Sequence, residues 1–133
     1  MARYATALAG NPYDTYRQVD LASRTGGVDA HGLVGLLYAE ASRALRSAAW
    51  AAEHRRYDVK AERVSRAIAI LFALESGLDF ERGGDVSKTL SRMYQGARQQ
   101  VVDASLDMLS APFLEVAGLL DEIAEAWEGV KAR

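Results

Sequence analysis

Residues 33–52, LVGLLYAEASRALRSAAWAA, place apolar side chains at Leu33, Leu36, Leu37, Ala41, Ala44, Leu45, Ala48 and Ala52. Steps of three and four bring these positions onto one face of an α-helix, because side chains at those separations stand one above the other along the axis. Asp29 stands where its carboxylate can accept the orphan N–H groups of a first turn. The spacing therefore predicts a helix from Asp29 to His54. Its face is rich in alanine, so a neighbouring backbone can come close.

The same period continues down the chain. His54-Arg55-Arg56-Tyr57-Asp58 reads as a short turn with Asp58 capping a second helix, whose stripe is Val64, Ala67, Ile68, Leu71, Leu74 and Leu78. Gly77 is placed to end it in the left-handed conformation that costs glycine little. Leu78 to Gly84 reads as a connector, with Asp85 opening a third run through Val86, Leu90, Met93, Tyr94, Ala97, Val101, Ala104 and Met108. Ser110 and Pro112 mark a fourth start, and the last stripe is Phe113, Val116, Leu119, Leu120, Ile123, Trp127 and Val130. No run alternates apolar and polar residues as a strand would. The expectation is an all-α fold, an antiparallel up-down four-helix bundle over residues 29–133. Residues 1–28 form a separate segment, in which Asn11 and Pro12 can open a short helical cap before Thr25-Gly26-Gly27 loosens the chain.

Composition narrows the function. The chain has 133 residues, half of them hydrophobic, with sixteen Lys plus Arg against eighteen Asp plus Glu and a formal net charge of -2. Such a balance lacks the basic surplus that nucleic acid or an anionic membrane usually requires. Zero cysteines remove disulfides, thiol catalysis and thiolate metal sites. No signal peptide and no apolar run long enough for a bilayer are expected, which suits a cytoplasmic protein.

Catalytic motifs are missing. A di-iron bundle needs Glu-x-x-His, but Val28 and Ala51 stand three residues before His31 and His54. His31 reads as a solvated side chain of a first turn, and His54 as a histidine at the carbonyl end of a helix. There is no Gly-x-Ser-x-Gly elbow and no phosphate-cradling glycine motif. Asp121, Glu122, Glu125 and Glu128 read as a solvated helix face. The first two helices are basic at Arg43, Arg46, Arg55, Arg56, Lys60, Arg63 and Arg66, so the acidic last helix should be attracted to them. The reading is of a non-enzyme without cofactor or metal. What remains is surface: Ile70, Phe72, Met93 and Tyr94 widen the apolar area beyond one seam, either closing the core or lining a groove for a peptide.

A family pattern runs through these motifs. Leu78-Asp79-Phe80-Glu81-Arg82-Gly83-Gly84-Asp85-Val86-Ser87-Lys88-Thr89-Leu90, with Met93-Tyr94, resembles the Leu-Asp-x-x-x-Gly-Gly block of the flagellar secretion chaperones, the FliS family. Leu37-Tyr38-Ala39-Glu40-Ala41 is similar to that family's Leu-Tyr-Asp-Gly-Ala, with Ala39-Glu40 in place of Asp-Gly. Ser65 to Ile70, Glu115-Val116 through Leu119-Leu120 with Ala126-Trp127, and Tyr16-Arg17-Gln18-Val19 resemble further elements, in the family's order. The resemblance implies a cytosolic export chaperone that binds the disordered C-terminal segment of flagellin. It would prevent premature polymerisation and assist delivery to the flagellar type III export gate. Carried over, the partner-binding surface would comprise Ile68, Leu71 and Leu74 on the second helix and Leu90, Met93, Tyr94 and Val101 on the third. Gly83 and Gly84 would shape the connector, and Tyr13 and Tyr16 would sit on the N-terminal cap. A homodimer is compatible with the sequence. A helical scaffold or signalling bundle gripping a different partner helix is the alternative reading.

Overall fold

The computed structural model describes residues 30–131, and within them the chain is helical. The helices are α1 (Ala30–Glu53), α2 (Tyr57–Ser76), α3 (Phe80–Asp107) and α4 (Ala111–Lys131). α1 lies between α2 and α4, and α3 closes the ring by packing on α2 and, more thinly, on α4. Neighbours run antiparallel. Arg46 meets Asp121 at 2.6 Å in the middle of α1, whereas His31 near its start meets Trp127 near the end of α4. The four-helix bundle expected from the periodicity is the observed architecture.

Alanine decides how close the helices come. Ala41, Ala44, Ala48, Ala49 and Ala51 of α1 are buried, as are Ala67, Ala69 and Ala73 of α2. Larger side chains fill the spaces between them: Leu37, Leu45, Ile70, Leu71, Val101, Phe113, Val116 and Leu120 are each at most 2 % exposed. Burying a side chain of this kind stabilises by roughly 1.5–3 kcal/mol. Three stripe positions miss the core: Leu36, Val86 and Val130 are all more than half exposed. The buried polar residues Lys60, Ser87 and Ser42 each have partners. Lys60 donates to the Ser105 carbonyl at 2.9 Å and to Met108 Sδ, Ser87 to the Asp79 carbonyl at 2.8 Å, and Ser42 to Asp121.

The helix ends depart from the glycine rules. α1 stops at Arg55, which takes a left-handed conformation (φ 57°), with N–H bonds from Arg55 to Ala52 and from Arg56 to Ala51. α3 stops in the same manner at Met108 (φ 61°), Leu109 N–H reaching the Ala104 carbonyl. These 6→1 closures satisfy the carbonyls that a helix end leaves orphaned. Gly77 stays right-handed (φ -85°) instead, contrary to its expected role. Asp58 lies inside the first turn of α2, and no side chain bonds at that cap. Its charge still complements the positive end of the helix dipole.

The connector expected over residues 78–84 is mostly helix. Asp79, not Asp85, is the cap: its carboxylate accepts the Glu81 and Arg82 N–H groups at 3.1 Å. Helix then runs through both glycines, interrupted by a kink at Gly84 (φ 50°, ψ -122°). That conformation is strained for any residue with a Cβ. At Gly83 a Cβ would lie 1.9 Å from Ser87 Oγ and displace the Ser87–Asp79 bond. Gly84→Ala is therefore expected to lower stability by about 1–3 kcal/mol, read as a shifted urea midpoint with unchanged slope.

Candidate functional site

One end of the bundle is hollow. The first turns of α1 supply Ala30, Val34, Leu37 and Tyr38; the last turn of α2 and the residues after it supply Ala73, Leu74, Gly77 and Leu78. α3 contributes Leu90 and Tyr94, and α4 contributes Trp127. Together they enclose a largely apolar cavity of about 130 Å³, near the size at which apolar cavities hold a benzene-sized group (about 150 Å³). No charged side chain lines it.

Two aromatic contacts frame this end. Trp127 donates from Nε1 to the His31 carbonyl at 2.7 Å and stacks on the His31 ring at 4.2 Å, 9° from parallel. It also meets Tyr38 edge-on at 6.4 Å. His31 is therefore half-buried and stacked, not solvated as its position in a first turn suggested. Tyr38 and Tyr94 join their hydroxyls at 2.6 Å. Burial pushes both phenols up in pKa; for Tyr94 the neighbouring Tyr38 adds to this and places it well above the usual tyrosine range. Both therefore keep their protons at neutral pH.

A shallower depression lies along the α2–α3 seam, lined by Ile68, Phe72, Gln95, Arg98, Gln99 and Val102. Phe72 is 41 % exposed, and the Arg98 guanidinium lies 3.8 Å from its ring centre. Arg98 is held there by Glu75, which also accepts from Ser91 at 2.9 Å and Gln95 at 2.7 Å. Burial alone would raise the Glu75 pKa, but the bonds from Gln95, Arg98 and Ser91 and the Arg98 charge outweigh it and lower it.

Against this geometry the expected surface divides. Leu74, Leu90 and Tyr94 line the cavity, and Ile68 lines the seam depression. Leu71 and Val101 are sealed in the core at 0 % exposure, and Ile70 is buried with them. A fully buried side chain contacts a partner only if the bundle opens. Met93 is half-buried on α3, outside both hollows. Gly83 and Gly84 shape the start of α3. Tyr13 and Tyr16 lie outside the described residues. Tyr38 and Trp127 were not among the residues expected to meet a partner. His54 meets the expectation for a helix end, its Nδ1 lying 2.8 Å from the Trp50 carbonyl. The attraction between α1 and α4 takes the form of the Arg46–Asp121 pair; with Ser42 it outweighs the effect of burial and holds the Asp121 carboxyl below its usual range.

Among the described residues no three His, Asp or Glu side chains gather as a metal site, and no helix is long and apolar enough to cross a membrane. Comparison with known proteins agrees with the pattern in the motifs. The family model described as "Flagellar protein FliS" matches residues 10–133. The chain is 34 % identical over 119 residues to the flagellar secretion chaperone FliS of Salmonella typhimurium, covering 89 % of this chain and 88 % of that protein. It is 30 % identical to the flagellar secretion chaperone FliSB of Pseudomonas aeruginosa, over 86 % of this chain and 91 % of the relative. Against FliS of Vibrio cholerae the identity is 29 %, over 86 % of this chain and 85 % of the relative. The chain belongs to the FliS family of flagellar secretion chaperones.

Proposed function

We propose that this chain is a non-enzymatic, cytoplasmic export chaperone that holds the disordered C-terminal segment of flagellin. It thereby prevents premature polymerisation and assists delivery to the type III export gate. The observation that carries this reading is the apolar cavity at the end of the bundle, built from all four helices. A disordered segment gives up conformational entropy on binding and must recover it through buried apolar contact. A cavity for one side chain, with a mixed seam depression where Ile68, Phe72 and Val102 stand beside Gln95, Arg98 and Gln99, offers contact at more than one point along an extended chain. Membership of a chaperone family supports the same reading.

Calorimetric titration with the C-terminal segment of the flagellin from the same bacterium tests it. A dissociation constant of about 1 µM or tighter is expected. The heat-capacity change should be negative, the mark of buried apolar surface. Removing the last residues of flagellin should abolish the signal. Absence of heat at several temperatures would refute the assignment.

A further inference from the structure

Two tyrosines lining the cavity carry a hydrogen-bond surplus. Tyr38 and Tyr94 each have one O–H, and their mutual bond at 2.6 Å consumes only one of the two protons. Whichever hydroxyl donates, the other keeps a proton that finds no acceptor among the described residues. The two residues are 3 % and 2 % exposed, so this donor does not reach bulk solvent, yet both rings line the cavity. A buried donor left unpaired is costly, and the cavity is the space from which an acceptor can come.

We propose that the Tyr38–Tyr94 pair is a single hydrogen-bond donor for a main-chain carbonyl of the bound segment, whose adjoining apolar side chain fills the cavity. This rests on the reading of the cavity as the flagellin site. The chemistry of the walls selects the acceptor. With no charged residue lining the space, a carboxylate would be buried without a counter-charge, whereas an amide carbonyl is neutral. Burial holds both phenols in the protonated form, so the donor persists across the neutral range. The incoming carbonyl supplies the acceptor that the described residues lack, and the side chain adds apolar contact. The pair therefore fixes the depth and direction of the segment, while the apolar walls fix the size of its anchor.

The test uses the full-length chain, the flagellin C-terminal segment as probe, and three variants: Tyr38→Phe, Tyr94→Phe and the double variant. Each single variant retains one hydroxyl whose proton is free to serve the segment, so each should bind within about threefold of wild type. The double variant has none and should bind about tenfold more weakly. Thermal melting should follow a different pattern, because a single change already leaves the surviving hydroxyl without its mate. The midpoint then falls at the first substitution and falls no further at the second. A purely structural pair would make binding track melting. The proposal is overturned by a double variant that binds like wild type, or by a single variant that already loses tenfold. Tyr38→Met/Tyr94→Phe, equally free of hydroxyls, replaces the double variant should that fail to fold. Wild-type protein that does not bind the segment overturns the chaperone reading and this inference with it, a result distinct from binding that ignores the hydroxyls.

Discussion

Tyr94→Ala is expected to destabilise the folded chain by about 3–5 kcal/mol, the range for removing a large aromatic ring from a packed interior. Tyr94 is among the largest fully enclosed side chains of the bundle, and it holds α3 against Tyr38 of α1 through their hydroxyls. Truncation removes the ring and leaves Tyr38 with no hydroxyl partner, so cavity and desolvation costs act together. Domains of this size are typically stable by only about 5–15 kcal/mol, so the variant should be largely unfolded at modest urea concentration. Urea melts followed by circular dichroism check this. A loss below about 1 kcal/mol would mean that neighbouring side chains refill the space the ring leaves, and would overturn the expectation.

Leu90→Asp should do the reverse. Leu90 is only half-buried on the cavity wall, so a carboxylate there stays hydrated in the free protein and the helical signal should persist. If a flagellin segment enters as proposed, that charge loses its water with no cation among the lining residues to compensate. The penalty should weaken binding by about a hundredfold or more, roughly 3 kcal/mol. Calorimetric titration beside a urea melt separates the two effects. Wild-type affinity in a folded Leu90→Asp protein would move the partner away from the cavity.

The contrast between these neighbours shows what periodicity reveals. Helical spacing places Leu90 and Tyr94 on one stripe, and both line the cavity, yet Tyr94 is 2 % exposed while Leu90 is only half-buried. Spacing names a face, not its depth, because core and groove demand the same residues. The bundle was legible for that reason, since a wide apolar stripe on each helix must be buried against others. The start of α3 was not legible, because paired glycines ordinarily break a helix; here Gly84 supplies a kink and Asp79 supplies the cap one turn earlier. Nor could Arg55 and Met108 be read as left-handed stops, since the closures there satisfy backbone groups without requiring glycine. Trp127 and Tyr38 were missed because their significance lies in contacts 96 and 56 residues away along the chain.

The alanine-lined middle of α1 has a wider implication. Any methylene added at Ala41, Ala44 or Ala48 must wedge the spine away from its flanking rods, so this part of the molecule has little room to drift. α3 leans on only one flank with any weight. Mutations can accumulate along its outward side without disturbing the frame.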